Sequence, residues 1–134
     1  MKKIAFDDIK HLIPKDCPYN HESYNEPVLY LEGDQVWENP MDLDELFVAE
    51  EGDDYFPFLL INGNLKATQI FNEETDGSMG LIVLGDLEAE NIVVGGQCIY
   101  VTGNLLVHGL YWGDYNHGEL IVDRSIQSQA FINT

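Results

Sequence analysis

Apolar and polar residues alternate in a block that occurs four times in the second half of the chain. The copies begin at Leu59, Leu81, Ile99 and Leu120, so equivalent positions are 22, 18 and 21 residues apart. Each copy has a short apolar strand, a polar corner, and a second strand with an apolar residue at every other position. Self-similarity at such a period is typical of stacked structural repeats.

Three sets of apolar residues occupy equivalent places in the copies. If each repeat advances by one strand spacing, about 4.7–4.9 Å, the members of a set lie side by side on neighbouring strands. The pattern therefore predicts a mainly β fold, a short parallel β-helix (solenoid) of about four to five coils. The sets are Ile61, Val83, Val101 and Val122; Leu65, Leu87, Leu105 and Ile126; and Ile70, Ile92, Leu110 and Phe131.

The corners between paired strands combine glycine with a small polar residue. Gly63, Gly85 and Gly103 suit a bend with positive φ. Asn64, Asp86, Asn104 and Ser125 follow as turn-forming residues. Arg124 replaces the glycine in the last copy, which predicts either a different turn or a strained backbone. A partial copy at 29–34 loses the pattern after its glycine and is interpreted as a degenerate first coil.

The first 55 residues lack the repeat. A helix is expected over Ile4–Ile13, ended by Pro14, and a second from Asn39-Pro40 to about Val48. Residues 1–55 are thus predicted to form an acidic cap with two short helices packed on the solenoid, and residues 56–134 the β-helix repeats, within a single structural domain. Nothing evident covers the last coil, so it pairs with another copy, a partner covers it, or the sequence is truncated.

Charge narrows the classes of partner. The net charge is −18, and the segment from Glu38 to Asp54 contains eight carboxylates and no basic residue. Such a field repels nucleic acid and anionic membranes and attracts basic proteins. The alternative is a solvated face that serves solubility. Because no apolar stretch is long enough to span a membrane and the only cysteines are Cys17 and Cys98, we expect a cytoplasmic protein with reduced thiols.

Candidate partner-binding residues combine these carboxylates with aromatic residues near the last insert, since Tyr and Trp are enriched at protein interfaces. They are Asp42, Asp44, Glu45, Glu50, Glu51, Asp53, Asp54, Tyr111, Trp112 and Tyr115.

Catalytic chemistry has weaker support. Asp86, Glu88 and Glu90, with Lys66 beside them, could form a carboxylate cluster, but an ordinary solvated strand explains them better. His11, Cys17 and His21 lack a fourth zinc ligand. Phosphate-binding, dinucleotide-binding and serine-nucleophile motifs are missing. We therefore expect no enzymatic activity, no metal and no cofactor.

The repeated apolar-x-Gly-[Asn/Asp]-Leu-x-Ala pattern over residues 59–132 resembles that of the bactofilin-like, polymer-forming cytoskeletal proteins of bacteria. The resemblance implies a right-handed β-helix and end-to-end assembly without nucleotide. The chain departs from that family in its loops, in Arg124 and in its acidic cap. In physical type, small and very acidic, it also looks like immunity proteins that neutralise bacterial toxins.

Three hypotheses follow. The first is a non-catalytic, acidic protein-binding module, an immunity-type inhibitor of a basic toxin or another cationic protein. The second is a bactofilin-like scaffold that forms homo-oligomers through its open C-terminal coil. The third and weakest is a carbohydrate-active β-helix enzyme.

Overall fold

The computed structural model describes residues 2–21, 27–44, 46, 56–72, 79–95, 98–114 and 119–133. One short helix, α1 (Phe6–Ile9), is followed by 3₁₀ turns at Lys10–Leu12 and Pro18–His21. The strands are β1 Lys2–Ile4, β2 Val28–Glu32, β3 Gln35–Trp37, β4 Met41–Asp42, β5 Phe58–Asn62, β6 Leu65–Phe71, β7 Gly80–Val83, β8 Leu87–Gly95, β9 Cys98–Val101, β10 Leu105–Asp114, β11 Glu119–Val122 and β12 Ile126–Asn133.

The strands form two six-stranded sheets. Sheet A has the order β1-β2-β5-β7-β9-β11, and it is mixed because β1 pairs antiparallel with β2. Sheet B has the order β12-β10-β8-β6-β3, with β4 also beside β6, and is parallel throughout. From β5 onward, successive strands alternate between the two sheets.

The predicted right-handed β-helix solenoid of four to five coils is wrong, because the strands belong to two separate sheets, one mixed and one parallel. A repeated apolar pattern reports which residues become neighbours on adjacent strands. It does not report how the strands are divided between sheets, or that an antiparallel strand from outside the repeat joins an edge. Both depend on contacts between segments that are far apart in the sequence.

Two of the three predicted sets of side-by-side residues are confirmed. Val83 pairs with Ile61 on one side and with Val101 on the other, and the second set is equally in register. The third set is wrong at Leu110, because Tyr111 pairs with both Ile92 and Phe131. β10 has one extra residue between Val107 and Tyr111 relative to both neighbours, which is the signature of a β-bulge.

The bulge is stabilised from the neighbouring strand. The side-chain Oδ1 of Asn91 accepts the backbone N–H of Leu110 at 2.8 Å, so the donor displaced from the ladder is satisfied. A Cβ on Gly109 would clash with the same oxygen and would lie 3.0 Å from the backbone carbonyl oxygen of Glu90, so a larger residue there would displace one of them. The bulge turns Tyr111 into the core, where it is fully buried.

The upstream partial copy does not lose the pattern after Gly33. β2 pairs with β5, and β3 and β4 then pair with β6 in the same parallel sense, with Met41 beside Ile70. The helix predicted from Asn39 is therefore wrong at its start, where β4 is a strand, and residues 45 and 47–55 lie outside the described part. The burial of Met41 in the core outweighs the local helix-capping preference of Asn39-Pro40.

The larger core lies between the two sheets and contains the confirmed apolar sets. A second cluster on the opposite face of sheet A joins Phe58, Leu60 and Tyr100 to Phe6 and Ile9 of α1. The middle strands of sheet A are thus buried on both faces, which explains the uninterrupted apolar residues of β7 and β9. The predicted helix over Ile4–Ile13 is correspondingly shorter, because Lys2–Ile4 forms β1. β2, β3 and β4 lie upstream of the expected boundary at residue 55 and belong to the same sheets as later strands.

The corner glycines are required by lack of space rather than by positive φ. Among the described glycines only Gly33 has a positive φ, 88°. A Cβ on Gly63 would lie 2.5 Å from the carbonyl carbon of Gly33, and one on Gly103 would lie 2.7 Å from the carbonyl oxygen of Gly85. At Arg124 no positive φ occurs, so the predicted strain is not found. The N–H of Arg124 donates to Gly103 O at 3.2 Å, against 2.8 Å for the bond from Gly103 N–H to Gly85 O.

Candidate functional site

The polar corner residues hold neighbouring corners together. In each step a side-chain oxygen accepts the backbone N–H of the next member: Asp34 from Asn64 at 2.9 Å, Asn64 from Asp86 at 2.8 Å, and Asp86 from Asn104 at 2.8 Å. Asn104 accepts from both the N–H and the hydroxyl of Ser125, at 3.2 and 2.8 Å. We call these five residues the corner ladder: Asp34, Asn64, Asp86, Asn104 and Ser125. Their hydrogen bonds join one corner to the next, whereas the sequence predicted only bonds within each turn.

An apolar row crosses the outer face of sheet B, the face turned away from the core. Its members pair in register on β6, β8, β10 and β12, and three of them are exposed: Val93 by 40%, Trp112 by 44% and Ile132 by 43%. Phe71, at the start, is half-buried and pairs with Asp42 of β4. Aligned exposed apolar side chains of this kind mark interaction surfaces on soluble proteins. The apolar row consists of Phe71, Val93, Trp112 and Ile132.

A polar group lies on the same outer face. Lys66 pairs in register with Glu88, and the Nε2 atom of His108 lies 2.7 Å from the Oε2 atom of Glu88. The hydrogen bond from His108 is the main cause that lowers the pKa of the Glu88 carboxyl, and Lys66 adds to it. Both partners are exposed, and an ion pair in water contributes little to stability. The three residues lie on the exposed face of sheet B, where His108 and Ser128 line the same depression.

The last strand of each sheet forms one end of the described structure. β11 and β12 pair only with β9 and β10 among the described strands. Ile126 is 46% exposed although its counterparts Leu87 and Leu105 are 0% and 1% exposed, and Phe131 is 44% exposed although Tyr111 is 0% exposed. Phe131 stacks on Tyr111 with ring centroids 4.8 Å apart. The last apolar residues of these inward columns are thus exposed at this end of the described structure.

β12 also differs from the rest of the chain in charge. Its eight residues, Ile126–Asn133, contain no Asp, Glu, Lys or Arg and neither Pro nor Gly. Natural proteins usually protect an edge strand with charge, proline or a covering segment. β12 has none of these within the described residues, so its edge is open to another strand.

The predicted partner-binding residues are only partly brought together. Asp42 is on β4 beside the apolar row, and its carboxylate accepts the N–H of Asp44 at 2.9 Å. Trp112 is exposed in the row, but Tyr111 is wrong as a surface residue because the bulge buries it. The remaining candidates lie outside the described residues: Glu45, Glu50, Glu51, Asp53, Asp54 and Tyr115. Phe71, Val93 and Ile132 were missed, although each directly follows a residue that lies in register with the third inward column and so points outward.

The thiols of Cys17 and Cys98 and the phenol of Tyr100 are buried. Burial raises the pKa of Cys17 to about 11 and that of Cys98 to about 12, so both thiols stay protonated at neutral pH. The Tyr100 hydroxyl donates to Asp123 at 2.8 Å, and burial followed by this bond raises the pKa of Tyr100. No group of three His, Cys, Asp or Glu side chains suited to a metal occurs in the described part, where the side chain of His21 is not included.

None of the described helices has the length and apolar character needed to cross a membrane. The chain matches no protein-family model, no curated protein and no solved structure.

Proposed function

We propose that this protein is a non-catalytic, acidic binding module that inhibits a cationic protein in the cytoplasm, in the manner of an immunity protein acting on a basic toxin. The main support is the apolar row on the solvent face of sheet B, in a chain whose net charge is −18. An exposed apolar stripe provides surface to desolvate on binding, and the charge selects and attracts a basic partner.

Trp112 is the expected centre of that interface. It is exposed and lies in register between Val93 and Ile132. A partner that covers the row therefore removes water from the indole and from both of its neighbours. Tryptophan is enriched among the residues that contribute most to protein binding, at about 2 kcal/mol or more per side chain. Asp42 supplies a carboxylate next to Phe71 for a lysine or arginine of the partner.

The test measures binding of purified cationic toxin domains to the wild-type chain and to two variants. Trp112→Ser is expected to weaken binding about 30-fold, the equivalent of about 2 kcal/mol. Val36→Ser is the matched control, because Val36 is 71% exposed on the same sheet but outside the row, and it should leave affinity unchanged. Raising NaCl from about 0.1 M to 1 M shortens the screening length from about 10 Å to 3 Å and should weaken binding.

The proposal fails if no cationic domain binds, if the toxin stays active when bound, or if both variants reduce affinity equally. It also fails if binding does not respond to salt.

A further inference from the structure

We propose that the cationic partner docks by adding an extended strand, parallel to β12, to the free edge of sheet B. This inference rests on the proposed function, because the partner is the same cationic protein, but it assigns a different contact surface and a defined sequence pattern to the partner. The apolar row and the edge meet at Ile132, which belongs to β12, so one partner can cover both.

The backbone of β12 is set to receive a strand. In each preceding step the N–H of the first inward residue donates to the corner residue just before the next strand of sheet B: Leu65 to Asp86 O at 2.9 Å, Leu87 to Asn104 O at 2.9 Å, and Leu105 to Ser125 O at 2.8 Å. Ile126 is the next member of this series. Because bonding direction alternates along a parallel strand, its N–H points away from β10.

The side chains at the edge define what the added strand must contain. The column ending at Ile126 has a large aliphatic residue at every step from Leu65 onward. The column ending at Ser128 has two alanines and then Val107, so none of its residues is larger than valine, and the column ending at Phe131 has large apolar residues. A strand that continues these columns has a large apolar residue, a small residue two places later, and a second large apolar residue three places after that. Such a strand would cover the exposed sides of Ile126 and Phe131.

A foreign cationic segment fits this edge better than a second copy does. Two copies each have a net charge of −18 and repel one another. The opposite end of the sheets gives a poor continuation for β12, since β1 covers the edge of β2 in antiparallel sense and β3 is only three residues long. Glu119 and Asp123, which are exposed on and just after the neighbouring β11, would attract lysines of a basic partner.

The probe is a labelled peptide with an eight-residue core, isoleucine at position one, alanine at three, phenylalanine at six, neutral polar residues elsewhere, and two lysines at each end. Fluorescence anisotropy with the full chain is expected to detect saturable binding. A peptide of the same composition with the three apolar residues in shuffled places should bind at least tenfold more weakly. Equal binding of the two peptides overturns the proposal.

Backbone pairing is tested separately. Two versions of the peptide have N-methyl groups on alternate residues, in the two possible phases. An added strand turns only one set of N–H groups toward β12. The affinity of one version should therefore fall at least tenfold, and the affinity of the other should be unchanged. If the two versions behave alike, the peptide is not a strand of the sheet and the proposal is wrong.

A pair of protein variants locates the edge. Ser128→Lys places a charge in the inward column of β12 and should reduce peptide binding at least tenfold. Gln127→Lys adds the same charge on the outer face of the same strand and should not. Binding of a cationic toxin domain that survives Ser128→Lys but is lost in Trp112→Ser refutes the edge while sparing the proposed function. Sedimentation that instead shows self-association, strengthened by salt and abolished by Ser128→Lys, assigns the edge to a second copy and overturns the inference.

Discussion

Glycine is needed at position 63 for lack of space and at position 33 for its positive φ, and substitutions can distinguish these two reasons. Gly63 has ordinary backbone angles, but an added Cβ would meet the Gly33 carbonyl carbon at 2.5 Å and the Asp34 nitrogen at 2.8 Å. Gly33 has φ of 88° and nothing within 4 Å of an added Cβ. Gly63→Ala must therefore move backbone, whereas Gly33→Ala only strains its own dihedral angles.

The costs can be estimated from the contacts. A methyl group normally stays beyond about 3.4 Å, so the corner at Gly33 must move by roughly 0.9 Å. That movement disturbs two hydrogen bonds between the corners, Gly33 N to Asn62 O at 3.0 Å and Gln35 N to Asn64 O at 2.8 Å. At about 1 kcal/mol for each bond, with a further 1 kcal/mol for overpacking, Gly63→Ala should cost about 3 kcal/mol. Gly33→Ala should cost about 1–2 kcal/mol.

Asparagine distinguishes the mechanisms further, because it tolerates positive φ but has a Cβ like any other residue. Gly33→Asn should recover much of the stability lost in Gly33→Ala, and Gly63→Asn should be as damaging as Gly63→Ala. Urea unfolding followed by circular dichroism gives the free energies. With a slope of about 2 kcal/mol per molar, Gly63→Ala lowers the midpoint by about 1.5 M. The reasoning is refuted if Gly63→Ala is no worse than Gly33→Ala, or if asparagine rescues position 63.

Three other outcomes are expected. Tyr111→Ala should cost about 3–5 kcal/mol in the same urea assay, since it empties a fully buried site; a cost below 1 kcal/mol would contradict its place in the core. Cys17 and Cys98, with pKa values raised to about 11 and 12 by burial, should resist a thiol reagent at pH 8 until urea unfolds the chain, and rapid labelling of the native protein would refute their burial. His108→Ala should raise the pKa of Glu88, measured by NMR titration. Because the native pKa of Glu88 is lowered, its stabilisation is present above the ordinary carboxyl pKa and lost as pH falls through the native value, and an unchanged titration would refute the contact.

The sequence repeat predicted the register of neighbouring strands more reliably than it predicted the architecture of the fold. Ile61, Val83 and Val101 became neighbours as expected, because residues that must be buried at equivalent places restrict how parallel strands can align. At Leu110 the same reasoning failed. The extra residue is accommodated only because Asn91, on another strand, accepts the displaced N–H, and a single-strand pattern holds no signal for that bond.

Residue type and spacing were enough to predict the strands of the repeat from residue 56 onward, two of the three inward apolar sets and the acidic charge, since burial and charge follow from which residues recur at equivalent places. The division into two sheets, the burial of Tyr111, the alignment of the apolar row and the exposed edge of β12 were visible only in the folded chain. These features depend on which strands become neighbours. The free edge exists because no described segment pairs with the last strand, and the row exists because the bulge in β10 brings Trp112 into line with Val93 and Ile132.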